Sequence, residues 1–237
     1  MARAAAARSG AEGVALSIIV PMLNEAAALP ALLAQLARWR TRGCEVVVVD
    51  GGSTDGSATM ARAAGFTVVD AERGRARQMN AGAALARGEV LLFLHADTQL
   101  PADADVAVRA ALADGRRAWG RFDVRIAGRA PMLRVVAGLM NLRSRLTGIA
   151  TGDQAMFVRR EAFDAVGGFP LQPLMEDIEL SQRLLRRSRP ACLRARVTTS
   201  GRRWEQRGVW RTIVLMWRLR WAYWRGVPAE VLAEAYR

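Results

Sequence analysis

The 237-residue chain contains one histidine, and it stands two places before an aspartate in Leu91-Leu92-Phe93-Leu94-His95-Ala96-Asp97-Thr98. An apolar run that ends in imidazole and carboxylate side chains reads as a buried strand opening onto a metal-type or polar site. Two further apolar runs end the same way. Leu16–Val20 continues into Pro21-Met22-Leu23-Asn24-Glu25, and Val46–Val49 ends in Asp50-Gly51-Gly52-Ser53-Thr54-Asp55-Gly56-Ser57. The glycines admit close backbone approach to a ligand, and Asp50 can accept from a ribose hydroxyl or a base edge. An ordinary turn with a helix cap at Asp55 or Ser57 is the alternative for that segment. A fourth polar feature, the acidic pair Glu176-Asp177, fits either a general base or two acids at a helix N-terminus.

The elements that must position these residues alternate in type. Leu16–Val20, Glu45–Val49, Thr67–Val69 and Val90–Leu94 are strand candidates, separated by helical patterns over Leu29–Arg42, Ser57–Ala64 and Arg75–Arg87. This alternation predicts βαβ units, a mostly parallel sheet and helices on both faces. In such sheets ligands bind at the carboxyl ends of strands, where Asn24, Asp50 and Asp97 fall. Further on, a helix over Ala102–Asp114, a strand over Ala118–Ile126 and an amphipathic helix over Pro131–Leu146 are expected, then a helix over Leu174–Arg187 that begins near Glu176 and Asp177.

Composition narrows the class. Half the residues are apolar and the net charge is +13, with every basic residue an arginine. A genome-wide codon preference explains most of that arginine, yet the charge still attracts diphosphates, nucleic acid or anionic lipid. Cys44 and Cys192 match no zinc or redox spacing and suggest reduced thiols in a cytoplasmic protein. Residues 1–13 lack the apolar core of a secretory signal and read as a disordered tail. No apolar run reaches the roughly 20 residues needed to span a bilayer, so a cytoplasmic protein, soluble or peripheral at the inner membrane face, is expected.

Four of these pieces together, "VPMLNE", "VVDGGSTDG", "HAD" and "MEDIEL", resemble family 2 glycosyltransferases of the GT-A fold, in that family's order and approximate spacing. "GRARQMNAG", "FLHADTQLP", "TGDQAMFVRR" and "TSGRRW" resemble a bacterial glycosyltransferase-like subgroup. The resemblance runs from about Leu16 to Arg203. It implies a GT-A domain over 14–203, followed by a Trp/Arg-rich helical segment over 204–237.

The implied reaction is an inverting, metal-dependent transfer of a sugar from a UDP- or GDP-sugar to an acceptor hydroxyl, with the acceptor open and a lipid-linked one among the candidates. Pro21, Asn24, Glu25, Asp50, Gly51 and Ser53 would line the base and ribose pocket, with His95, Ala96 and Asp97 beside them. Asp97 would hold Mg²⁺ or Mn²⁺ on the diphosphate. His95 stands where relatives usually carry the first Asp of D-x-D, so imidazole is a second metal-ligand candidate, one that favours Mn²⁺. In Gly74–Gly82, Arg77 could fork onto the diphosphate and Asn80 could bond the donor, whereas Arg75 reads as a solvated arginine. Asp177 would be the base, Glu176 a supporting contact, and Gly152, Asp153 and Gln154 the acceptor-side floor. Arg203 would close over the diphosphate and Trp204 would stack on a sugar; only these two match the Q-x-x-R-W signature of processive enzymes, so processivity is not inferred.

The tail holds five of the seven tryptophans, at 204, 210, 217, 221 and 224. On a single helix over Arg203–Arg225, Arg207, Arg211, Arg218 and Arg225 share one face opposite most of the tryptophans, with Arg220 intruding on the apolar side. Packing on the domain or on a second subunit, as in a homodimer, is the commoner fate of such a stripe. An anionic membrane surface is the alternative. Two rival functions fit less well. A sugar-phosphate nucleotidyltransferase would carry a glycine-rich first loop and a lysine, and Ser17–Glu25 has no glycine while the chain has no lysine. A basic nucleic-acid or membrane-binding module leaves the strand-end carboxylates unexplained, so no nucleic-acid partner is expected.

Overall fold

The computed structural model describes residues 15–236; the tail expected over 1–13 lies outside them. Eight strands form one sheet: β1 (Leu16–Met22), β2 (Glu45–Asp50), β3 (Thr67–Asp70), β4 (Val90–Phe93), β5 (Thr98–Gln99), β6 (Trp119–Ala127), β7 (Phe157–Arg159) and β8 (Ala191–Ser200). Their order is β3-β2-β1-β4-β7-β6-β8-β5. The first four in that order run parallel, as does the β6–β8 pair, while β7 is antiparallel to both neighbours and β5 is antiparallel to β8.

Side chains alternate between two cores along each buried strand. Ile18, Val20, Val46, Val48 and Leu92 face helices α1 (Leu29–Thr41) and α4 (Ala104–Leu112) on one side. Ile19, Val47, Val49, Leu91 and Phe93 face α3 (Arg75–Leu85) and α6 (Arg160–Ala165) on the other. With both faces covered, the central strands lack polar alternation, which is why they read as continuous Val/Ile/Leu runs. Gly82 lets α3 lie flat on the sheet, because a Cβ there would meet Ile19 Cγ2 at 2.5 Å. Between α1 and α3, α2 (Ser57–Ala63) completes the βαβ pattern.

The connection order reverses between β1, which leads outward through β2 to β3, and β4, on its other side. That reversal opens a crevice at the carboxyl ends of β1 and β4, the position where open α/β sheets bind ligands. The crevice is bounded beyond β4 by α5 (Met132–Thr147), a 3₁₀ turn over Gly152–Gln154 and α7 (Glu176–Leu185).

The tail differs from a single helix. Gly208, with φ 85° and ψ 132°, separates α8 (Arg202–Arg207) from α9 (Val209–Trp224), and α10 (Ala229–Tyr236) folds back beside α9. Of the tail tryptophans Trp204 rests against the main core, but the other four do not pack on the domain. Leu219, with Leu215, Met216 and Tyr223 beside it, packs against Leu174, Met175 and Ile178 at the start of α7 and Leu232 of α10. Trp210, Trp217, Trp221 and Trp224 remain 61–78% exposed. The helix phase that buries Leu219 turns them outward.

Candidate active site

The crevice is a cleft of about 1180 Å³. Its walls include Pro21, Glu25, Arg75, His95, Ala96, Asp97, Asp153, Arg203 and Trp204. Three chain segments meet at its inner end. The exit of β4 brings His95, whose Nδ1 lies 3.3 Å from Asp153 Oδ1 in the 3₁₀ turn. The same turn offers the Gly152 amide, which donates to Asp177 Oδ2 at 2.9 Å. Glu176, buried beside it, takes the Arg75 guanidinium at 3.5 Å. A small cavity behind them is lined by His95, Gly152, Glu176 and Asp177 and backed by Phe93 and Phe169.

Strain marks the same segments. Apart from glycines, only Asn24 (φ 53°), Ala155 (φ 44°) and Met175 (φ 65°) have left-handed backbone among the described residues. They flank Glu25, the Gly152–Gln154 turn and Glu176-Asp177. Non-glycine residues persist there only when surrounding structure over-determines them, which is common around functional sites.

Charge distribution separates the carboxylates. Burial, and then the charge of Glu176, pushes the Asp177 carboxyl up to about 6, against the amide bonds from Gly152 and Ile178 and the charge of Arg75. Burial would also raise Asp153, but the His95 hydrogen bond and the nearby charges of His95, Arg75 and Arg203 outweigh it and hold the carboxyl below its usual range. Glu25 is raised by burial and by the neighbouring Asp97 and Asp55. Arg203 is lowered by burial and by the charge of Arg75. A carboxylate tuned toward neutrality beside one held ionised is the pattern that separates acid–base from electrostatic roles.

Several expected site residues do other work. Asp50 is buried; its Oδ2 accepts from the Gly52 and Ser53 amides at 3.0 and 2.9 Å, while its buried Oδ1 has no partner among the described residues. The Asn24 amide donates to Ser53 Oγ at 2.9 Å, and Asn24 Oδ1 accepts from the Thr54 amide at 2.8 Å. These bonds, with Ala26 N donating to Asp55, stitch the β1 and β2 exits together. Asp50, Asn24, Gly51 and Ser53 therefore form the bed of the cleft rather than its lining. Asn80 straps Phe169, donating to its carbonyl and accepting from its amide at 2.8 and 2.9 Å. Gln154 is fully buried, bonded to Thr151 N and Ser144 Oγ.

The arginines of α3 exchange roles relative to the sequence reading. Arg77 turns outward to pair with Glu72. Arg75 lines the cleft and is raised by the charges of Glu176, Asp153, Asp177 and Asp97, which overcome its burial. Two residues on a helix are about 200° apart, so only one of the two can face the cleft. Arg75→Gln is expected to lower turnover by about ten- to a hundredfold, and Arg77→Gln to leave it within about threefold; steady-state rates on both variants check the assignment.

The His95 side chain is enclosed, only 12% exposed. Nδ1 faces Asp153, and Nε2 is buried against Gly152 without a hydrogen-bond partner among the described residues. A Cβ at residue 152 would lie 2.3 Å from that Nε2. Gly152→Ala is therefore expected to cost about 1–3 kcal/mol of stability or to displace the imidazole. Denaturant unfolding that matches the parent protein, together with unaltered kinetics, would contradict this contact.

A sheet with this order, a crevice at the β1/β4 reversal and acidic groups around it define the GT-A class of α/β glycosyltransferase folds. The mannosyltransferase of Pyrobaculum calidifontis, solved with GDP-Man and Mn²⁺, has this fold: TM-score 0.63 at 23% identity, covering 88% of this chain and 61% of that one. The chain belongs to glycosyl transferase family 2, whose model matches residues 17–167. It is 43% identical over 102 residues to the PGL/p-HBAD biosynthesis glycosyltransferase of Mycobacterium tuberculosis, a match covering 40% of each protein. It is 30% identical over 167 residues to the undecaprenyl-phosphate 4-deoxy-4-formamido-L-arabinose transferase of Pseudomonas paraeruginosa, covering 60% of this chain and 45% of that relative. The matches thus span less than half of either curated relative.

Proposed function

We propose that the chain is an inverting, metal-dependent glycosyltransferase that moves a sugar from a UDP- or GDP-linked donor to an acceptor hydroxyl. The observation that carries this reading is Asp177: a carboxyl raised to about 6, fixed by the Gly152 amide in the small cavity behind the cleft, which shares His95 with the cleft wall. A carboxylate with that pKa is ionised at neutral pH yet basic enough to take a proton from a hydroxyl as that oxygen attacks. The hydroxyl oxygen bonds to the anomeric carbon, the proton passes to Asp177, and the bond to the diphosphate breaks with its electron pair on the leaving group. One displacement inverts the anomeric centre. Arg75 holds Glu176, Asp177's neighbour, and presents positive charge to the cleft; Arg203, close enough to feel the charge of Arg75, adds a second guanidinium.

The donor side fits a hard divalent cation. The Asp97 side chain lies exposed on the cleft wall, within reach of the charges of Arg75 and Arg203, and its one hydrogen bond among the described residues is a 3.4 Å contact from Thr98 Oγ1. Among the described residues no three His, Cys, Asp or Glu side chains form a cage, which suits a cation taken up by one carboxylate together with substrate phosphates. Bound there, Mg²⁺ or Mn²⁺ would supply Lewis-acid charge to the departing diphosphate. The Mn²⁺ and nucleotide sugar of the Pyrobaculum enzyme support the same pairing.

No helix among the described residues is long and apolar enough to cross a membrane. The exposed tryptophans of α9 and the +13 charge support a peripheral position on the cytoplasmic membrane face, with a homodimer as the other use of that stripe. A thermal-shift screen of nucleotide diphosphates and their sugars, with and without Mn²⁺, tests the reading. Stabilisation by one donor that requires the metal is expected; no response to any nucleotide sugar would overturn it.

A further inference from the structure

The cleft does not end at the donor residues. Beyond Asp153 it continues as a groove between α5 and α9, walled by Leu139, Leu142 and Leu146 on one side and Ile213, Met216 and Trp217 on the other. On α5 the leucines stand at i, i+3 and i+7, one continuous stripe, and all three are more than half exposed. Such a stripe belongs in a core or against an apolar ligand.

Two arginines interrupt this apolar surface on its groove side. Arg143 lies between Leu139 and Leu146 on α5, and Arg220 one turn beyond Met216 and Trp217 on α9; both line the cleft. Neither pairs with a carboxylate among the described residues, and Arg143 Nε and Nη2 and Arg220 Nε are buried with no hydrogen-bond partner there. Arg145, by contrast, is paired with Asp123. Shut-in guanidinium nitrogens without acceptors are costly and call for an anion. Both arginines lie near the start of α7. Arg143 feels the charge of Asp177, and Met216 and Leu219, beside Arg220, pack on Leu174 and Met175.

We propose that the acceptor is an anionic lipid whose phosphate ester sits on Arg143, with Arg220 completing the site, whose chain lies in the α5/α9 groove and whose free hydroxyl faces Asp177. The phosphate is an anchor and the hydroxyl is the nucleophile, because the half-buried Asp177 carboxylate suits a neutral hydroxyl and repels a phosphate placed against it. This rests on the glycosyltransferase reading above, whose step supplies the bond changes.

The test is a set of matched probes below their micelle concentrations, followed by the fluorescence of Trp217 and its neighbours. 1-Lauroyl-lysophosphatidylglycerol carries chain, phosphate and hydroxyls; monolauroylglycerol lacks the phosphate; glycerol phosphate lacks the chain. The first should bind at least about tenfold more tightly than either control. Arg143→Gln should remove the advantage over monolauroylglycerol, and Leu146→Ser, at an exposed position, should reduce the advantage over glycerol phosphate. Thermal unfolding no lower than that of the parent protein checks that both variants fold. An advantage below tenfold over either control, or one that survives Arg143→Gln, overturns the proposal. Stabilisation of the parent protein by a nucleotide sugar with Mn²⁺ separates the two levels: if it holds while the lipid probe fails, only the acceptor assignment falls.

Discussion

Asp177→Asn is expected to abolish nearly all transfer and, at the same time, to make the protein more stable at neutral pH. Loss of the base should lower kcat by about 10²–10⁴-fold, the usual contribution of general-base help. The stability gain follows from linkage. Asp177 is raised from an ordinary value near 4 to about 6, so the folded state binds the proton more tightly than the unfolded chain. Its ionisation therefore opposes folding: the penalty is absent below about pH 4, grows as pH rises through 6 and is fully present at pH 7. An amide keeps the acceptor for the Gly152 N–H without the buried charge, which should restore about 1–2 kcal/mol and raise Tm by a few degrees. The same titration gives the parent enzyme an acid limb in kcat/KM near pH 6 that the variant lacks. A variant both inactive and less stable at pH 7 would show that Asp177 is a structural carboxylate.

Asp97→Ala should have the second-largest effect, of a different kind. No buried contact depends on this exposed side chain, so unfolding should shift by less than about 0.5 kcal/mol. Stabilisation by nucleoside diphosphate in the presence of Mn²⁺ should nevertheless disappear, and turnover with it. Full metal-dependent stabilisation in the variant would remove Asp97 from the donor site. The two substitutions thus separate in calorimetry as well as in rate: one raises stability without donor loss, the other loses donor without a change in stability.

The parallel half of the sheet was legible because its strands are buried on both faces and its helices carry apolar residues at helical spacing. β1, β2, β3, β4 and β6 fall within three residues of the sequence expectation at each end. β8 was not anticipated, since arginines at 194 and 196 obscure a period-two pattern of Leu193, Ala195 and Val197. β7 is three residues long and owes its existence to pairing with Leu92 and Gly120. Within the site, residue types located the strand ends but not the direction of side chains. Which of Arg75 and Arg77 faces inward depends on the helix phase, and which side chain faces His95 Nδ1 depends on a turn 58 positions away. Asn24, Asn80 and Gln154 tie one segment to another in the structure, bonds invisible in the sequence because a polar side chain that does so has the same composition as one that binds a substrate. Arg143 and Arg220 were visible only as flaws in amphipathic patterns; their lack of partners is a tertiary fact.

The stitched exits of β1 and β2 have a thermodynamic consequence. The Asn24, Glu25 and Ala26 amides donate to Ser53, Ser57 and Asp55 across the two loops, and Gln78 holds the carbonyls of Met22 and Val49. A nucleotide entering the cleft above this bed finds the backbone already ordered, so little conformational entropy remains to be lost on binding. Donor recognition should accordingly proceed with a small heat-capacity change and a rate set by encounter rather than by loop closure, whatever is happening at the far, apolar end of the cleft.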